Sequence, residues 1–378
     1  MFAFYLSAMD EAYECRCEQI MKNNGRSGPQ ATVADVARAA GVSRATAARV
    51  LGGYGYAGGE ARELVLDAAK RLAYQPNQLA KSMATGRSKT IGVVVADIEN
   101  LYFARAIRAI TDTANAKGFD VVLANTDEDI ERERAAVRVL LAKRVDGLIV
   151  SPASSFKVDH LVSARDMGCP FVLLDRRVPV LNADTVAIDN FSAAHEAVSS
   201  FTAHGHQRIA LLSNSRADEG QQYLTSPVRE RVDGYRAALR DAGIRIDPKL
   251  TVFGGGDTDN LAAQIRKLCQ SANRPTAFLA VTSAVALVLL GVLRELDLSI
   301  PGQASIICFE NADWTVAVTP PLTVVSQPIK ELASAVTESL IGRLEGGPSG
   351  PGRETLLPAI LINRGSVSGV PVKASVAQ

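Results

Sequence analysis

The sequence predicts a small all-α helix-turn-helix unit followed by an α/β core of two doubly wound parallel-sheet lobes. Three observations predict it. Two short helical patterns near the N-terminus are separated by Ala40-Gly41-Val42, after Lys89 short apolar runs alternate with helical stretches, and that alternation starts again after Asp189. At 378 residues the chain is longer than one hydrophobic core usually serves, so more than one folding unit is expected.

Residues 1–30 show no sustained period, end in NNGRSGPQ, and are expected to be a mobile extension. From Thr32 onward Val33, Val36, Ala37 and Ala40 recur at the spacing of one helix face. Thr32 with Asp35 three residues on forms an N-cap pattern. Gly41 ends this helix and Ser43 caps a second one running to Leu51. A third helix is expected over 61–72, with Leu64, Val65, Ala68 and Leu72 as its buried stripe. Between the second and third lies GGYGYAGGE, in which Gly53, Gly55 and Gly58 formally match a dinucleotide fingerprint. That fingerprint works only between a strand and a helix, where the glycines cradle a pyrophosphate, and here it follows a helix. A turn is the expectation.

Strands are expected at 91–97, 121–126, 146–151 and 171–175, and in the second lobe at 208–214, 251–253, 277–282 and 305–310. They are short apolar runs with no polar alternation, as in parallel strands buried on both faces. In open sheets of this kind ligands sit beyond the C-terminal strand ends, which makes the cleft between the lobes the candidate binding site.

The apolar runs, such as 285–292, are far shorter than the roughly 20 residues of a spanning helix, so no membrane partner is expected. The apolar start lacks a basic leader and soon turns acidic, which predicts a cytoplasmic protein. The five cysteines, Cys15, Cys17, Cys169, Cys269 and Cys308, show no C-x-x-C pair and are expected to be reduced and passive. Net charge is +1, but its distribution is uneven. Over 31–89 nine basic residues (Arg38, Arg44, Arg49, Arg62, Lys70, Arg71, Lys81, Arg87, Lys89) face four acids (Asp35, Glu60, Glu63, Asp67), a local excess that suits a phosphate backbone. A Rossmann-type enzyme is the first rival reading. Asp97 is followed by Ile-Glu-Asn-Leu-Tyr-Phe without pyrophosphate-binding glycines, and no nucleophile elbow or metal-ligand cluster stands out. A pure solute-binding protein would have no use for residues 31–89. Neither enzyme activity, a metal nor a cofactor is expected.

Several stretches, TVADVARAAGVSRATAARVL, YQPNQLAKSMATGRSKTIGVVVADIEN, NTDEDIERERAAVRVLLAKRVDGLIVSP, FVLLDRR, GHQRIALL, RERVDGYRAAL and TPPLTVVSQP, together resemble the lactose-repressor (LacI/GalR) family over 32–366. The resemblance implies a helix-turn-helix on a hinge helix, a periplasmic-binding-protein-like core and a homodimer. It divides the chain into an extension (1–30), a DNA-binding domain (31–76), hinge helix and linker (77–88), an N-terminal lobe (89–189 with 328–354), a C-terminal lobe (190–327 with 355–366) and a tail (367–378). The tail has no leucine heptad, so a dimer rather than a tetramer is expected.

Carried over by position, the family's recognition helix falls on 43–51 and its operator contacts on Thr32, Ser43, Arg44, Ala45, Thr46, Arg49, Tyr56, Asn77 and Lys81. Arg44 and Ala45 would read bases, the arginine forking onto a guanine and the alanine touching a thymine methyl. Ala48 stands where the family usually has Ser. Met83 takes the place of the leucine that the hinge helix wedges into the minor groove, and its flexible apolar side chain suits that insertion. Effector contacts fall on Asp97, Tyr102, Phe103, Asn125, Asp175, Asn214, Arg231, Thr282, Ser283, Phe309 and Glu310. The family's Asn-Asp reads Thr282-Ser283 here, and its Gly-Phe-Asp-Asp reads Cys308-Phe309-Glu310-Asn311. The expected function is DNA-binding regulation, with repression the family's commoner mode and activation the alternative. The expected effector is a sugar or sugar phosphate first, a nucleobase or nucleoside second.

Overall fold

The computed structural model describes residues 31–52, 55–75, 86–216, 224–347 and 350–370, in one unit ending at Ser88 and another beginning at Lys89. In the first, α1 (Val33–Ala39), α2 (Arg44–Gly52) and α3 (Gly59–Arg71) enclose a small core of Val36, Ala37, Ala40, Ala47, Val65 and Ala68. The capping box at α1 is formed: Thr32 Oγ1 accepts from the Asp35 amide at 3.3 Å and Asp35 returns the bond to the Thr32 amide at 2.9 Å. Gly41 turns the chain at φ +67°, a conformation that costs glycine nothing. The stripe expected on α3 is corrected. Val65 and Ala68 are buried, but Leu64 and Leu72 are 48% and 39% exposed, because the alanines of α1 and α2 let the helices approach so closely that only a narrow face is covered.

The second unit has two six-stranded sheets. The N-lobe sheet contains β1 (Thr90–Val95), β2 (Asp120–Asn125), β3 (Gly147–Val150), β4 (Phe171–Leu174), β5 (Thr185–Ile188) and β11 (Glu354–Leu357), in the order β11-β5-β4-β3-β1-β2, all parallel. Alternation along β1 divides its two faces: Ile91, Val93 and Val95 pack under α4 (Leu101–Ala116) and α11 (Ile329–Leu344), while Val94 packs under α5 (Ile130–Ala142) and α6 (Asp159–Asp166).

The C-lobe sheet contains β6 (Ile209–Ser213), β7 (Thr251–Phe253), β8 (Ala277–Ala280), β9 (Ser305–Cys308), β10 (Thr323–Ser326) and β12 (Ile360–Ile362), ordered β12-β10-β9-β8-β6-β7, with only β12 antiparallel to its neighbour. Ile209 and Leu211 face α7 (Asn190–Ala203) and α8 (Ser226–Asp241), and Ala210 and Leu212 face α9 (Thr258–Cys269) and α10 (Ser283–Glu295). On α8, Gly234 is required by contact, since a Cβ there would overlap the Phe191 carbonyl oxygen of α7.

The chain passes between the lobes after β5, after β10 and after β11. The last passage corrects the expected boundary at 354. All of β11 pairs with Thr185–Ile188 of the N-lobe, so the return follows Leu357. The tail expected from 367 is also shortened. The Ser368 carbonyl accepts from His206 Nε2 at 2.9 Å, the Ser368 amide donates to Ser305 Oγ at 3.1 Å, and Val367 packs on the C-lobe core. Residues up to Gly369 therefore belong to that lobe.

Candidate functional site

On the first unit, α2 presents Arg44, Ala45 and Arg49 to solvent, and Tyr56 is 89% exposed. Ser43 Oγ accepts from the Thr46 amide at 3.1 Å and lies 2.9 Å from Thr46 Oγ1, so this pair fixes the start of the helix. Thr32 is likewise committed to its cap, with Oγ1 donating to Asp35 Oδ2 at 2.7 Å. Asn77, Lys81 and Met83 lie outside the described residues.

In the second unit the C-terminal strand ends of both lobes open onto a cleft of about 620 Å³. From the N-lobe, Asp97 follows β1, Asp175 follows β4 and Tyr102 and Phe103 come from the first turn of α4. Asn100 caps that turn by accepting from the Tyr102 amide at 3.0 Å, and the two rings meet edge to face at 5.2 Å. From the C-lobe come Asn214 after β6, Thr282 after β8, Phe309 and Glu310 after β9, and Arg231 from α8. Nine of the eleven sequence-predicted contacts (Asp97, Tyr102, Phe103, Asp175, Asn214, Arg231, Thr282, Phe309, Glu310) thus line one cavity.

The other two are corrected. Asn125 turns away from the cavity, accepting from the Ile98 amide at 3.0 Å and donating to Asp127, and so holds the loop that carries Asp97. Ser283 is buried at the start of α10, where its amide donates to Glu310 Oε2 at 2.9 Å. Its role is to orient the carboxylate that does face the cleft.

Sequence reasoning missed Arg176, Glu128 and Gln327, which also line the cavity. Arg176 is buried, donating to Glu128 Oε2 at 2.7 Å and to the Pro152 carbonyl at 2.8 Å. The signals were present in the first arginine of FVLLDRR and in the acidic TDED turn, where Asp127 and Glu128 both take positive φ. Gln327 stands at the second passage between the lobes.

Arg231 is the most constrained of these residues. Nε donates to Asn190 Oδ1 and Nη1 to the Val281 carbonyl, both at 2.8 Å, and the guanidinium lies 4.0 Å from the centre of the Phe309 ring. Burial lowers its pKa, against the pull of Asp175. Burial raises Asp175 despite Arg231 and Arg176, and raises the Tyr102 phenol, with the Asp175 charge adding to it. Tyr102 Oη, Asp175 Oδ1, Asn214 Oδ1, Glu310 Oε1 and Gln327 Oε1, and the Arg176 Nε donor beside them, are buried with no hydrogen-bond partner among the described residues. Buried polar atoms are normally paired, so five unmet oxygens on one cavity mark a place for a polar ligand.

Comparison with known proteins agrees with both parts. Residues 32–77 match the bacterial regulatory proteins of the lacI family, and residues 198–367 a periplasmic binding protein-like domain. A Rhizobium rhizogenes protein named "Probable opine utilization operon repressor" is 68% identical over 182 residues, 48% of this chain and 92% of that protein. The HTH-type transcriptional regulator PtxS of Pseudomonas putida is 33% identical over 337 residues, 89% of this chain and 95% of PtxS. The crystal structure of a LacI family transcriptional regulator from Enterococcus faecium with bound ribose superposes with a TM-score of 0.64 at 28% identity, covering 75% of this chain and all of that one. With the helix-turn-helix, the two-lobed core and these relatives together, the chain belongs to the lacI family of bacterial regulatory proteins and is a DNA-binding transcriptional regulator.

Proposed function

We propose that the protein is a cytoplasmic repressor that binds a palindromic operator as a homodimer and changes its operator affinity when a small polyhydroxylated molecule enters the cleft. The observation that carries this reading is the set of five unpartnered oxygens on residues that line one cavity, since a ligand rich in hydroxyl groups would satisfy them. Bound ribose in the Enterococcus faecium relative and the operon-repressor name of the Rhizobium rhizogenes relative support it. One face of the Phe309 ring is covered by Arg231, which closes it to a stacking nucleobase and favours the sugar-like class. One helix-turn-helix covers only a half-site, so two-fold pairing doubles the contacts. On α2, Arg44 and Ala45 are exposed as base readers and Arg49 is exposed beside them.

A ligand moves an equilibrium between lobe arrangements only by preferring one of them. Arg231 joins the cleft to Asn190, the first residue after the first passage between the lobes, and so links occupancy to lobe angle. The test is a titration of the operator complex, formed on the gene's own upstream DNA, with a panel of sugars and polyols. Wild type should release or tighten on one of them, and Arg231→Ala should bind operator but not respond. An unchanged response in the variant refutes the reading.

A further inference from the structure

The inner wall of the cleft is one-sided in its hydrogen-bonding chemistry. Of the six unmet atoms on its lining residues, four are oxygens that carry no hydrogen when the acids are ionised, Asp175 Oδ1, Glu310 Oε1, Asn214 Oδ1 and Gln327 Oε1, against the single obligate donor Arg176 Nε. The donors are largely spent. Arg176 gives Nη1 and Nη2 to Glu128 and the Pro152 carbonyl and keeps only Nε, and Arg231 has given Nε and Nη1 to Asn190 and Val281, leaving Nη2. With Arg176 balanced by Glu128, two buried acids remain against one buried guanidinium, Asp175 at 7% and Glu310 at 4% exposure beside Arg231, while Arg216 on the same lining is exposed to solvent. Glu310 Oε2 accepts from the Ser283 amide at the N-terminus of α10.

From this arrangement we infer that the effector is a polyhydroxylated amine, whose protonated nitrogen sits at Glu310 and Asp175 while its hydroxyls reach Asn214, Gln327 and Tyr102. An ammonium brings only donors, as the wall requires. A phosphate or carboxylate in the same place brings only acceptors and faces two buried carboxylates, so the sugar phosphate expected from the sequence is excluded from this inner position.

The inference rests on the cleft being the effector site, and the experiment separates the two. Full-length protein is titrated calorimetrically with three molecules of one carbon skeleton: 1-deoxy-1-(methylamino)-D-glucitol, D-glucitol and D-glucitol 6-phosphate. The amine should bind about tenfold or more tighter than glucitol, the factor a charge-assisted hydrogen bond supplies, with the phosphate weakest. Glu310→Gln, which keeps an acceptor for the Ser283 amide, should bring the amine and glucitol affinities together by weakening the amine several-fold more than glucitol. Asp175→Asn should narrow the gap in the same direction. Equal binding of amine and glucitol by wild type, tightest binding of the phosphate, no binding of the amine, or a preference that survives both substitutions would overturn the inference. If the affinities depend on Arg231 and Glu310 without an amine preference, the cleft reading stands and the inference alone fails. If they are indifferent to both residues, the cleft reading fails as well.

Discussion

Arg177 and Glu230 join the two lobes at the flank of the cleft: Arg177 Nε donates to Glu230 Oε1 at 3.0 Å, and the Arg177 amide donates to Ser226 Oγ at 2.7 Å. The pair sits one residue beyond Arg176 and one before Arg231, so along each segment a cavity-lining side chain is followed or preceded by one that holds the lobes. Burial pushes the Glu230 carboxyl up, and Arg177 pulls it back. Arg177→Ala and Glu230→Gln should each shift the half-maximal effector concentration for the operator response by several-fold. The double variant should be non-additive by about 0.5–3 kcal/mol, as expected for residues in contact. Operator-release titrations of the four proteins measure this, and strict additivity would show that the pair does not set the lobe equilibrium.

Arg44 stands exposed in the first turn of α2. Arg44→Ala should cost about 1–3 kcal/mol on the specific operator and relax preference at one base position. Selection from random DNA with both proteins checks it, and an unchanged motif removes Arg44 from base reading.

Asp184 fastens the end of α11 to the N-lobe. Arg343 Nε and Nη2 donate to it at 2.7 and 2.6 Å, Ser339 Oγ at 2.8 Å and the Arg353 amide at 2.8 Å. Burial alone would raise this carboxyl, but those donors outweigh it and hold it at about 2, below the ordinary 3.8. A depressed carboxyl stabilises the fold above its unfolded pKa and loses that contribution as the pH falls from about 4 through about 2. Asp184→Asn should therefore be less stable than wild type by on the order of 1–2 kcal/mol at pH 7, and the difference should shrink at pH 3. Urea denaturation of both proteins at the two pH values tests this.

Gly234→Ala should destabilise the core by about 1–3 kcal/mol, the usual penalty for overpacking. The added methyl would overlap the Phe191 carbonyl and push α8 off α7, moving Arg231 three residues away. The effector response should weaken more than operator binding does. Thermal melts with operator titrations read both, and a variant with wild-type stability would show that the helices can separate freely.

Much of this was legible because short, wholly apolar strands alternating with amphipathic helices leave a strong repeating trace. The strands that escaped are β5, β10, β11 and β12; β11 and β12 expose residues such as Leu356 and Ile360, so their pattern is too mixed to read. The cleft residues at strand ends could be found because position in an α/β sheet fixes where ligands meet the chain. Asn125 and Ser283 also stand at or just after strand ends, but Asn125 is exposed and bonded to its own loop while Ser283 is buried, a difference that spacing does not encode. Arg176 and Glu128 were hidden for another reason: each is 48 residues from its partner, and only the folded chain makes them a pair.

The three passages between the lobes mean that each sheet is finished by the same late stretch of chain, β11 adding an edge to one and β12 to the other. During synthesis the helix-turn-helix, with its own small core, leaves the ribosome nearly 300 residues before Ile362 does. At 5–20 residues per second that interval is roughly 15–60 s. For that time the nascent polypeptide carries a finished DNA-reading head on a sensor that has neither sheet complete, so the ability to hold DNA and the ability to be told to let go are acquired in that order.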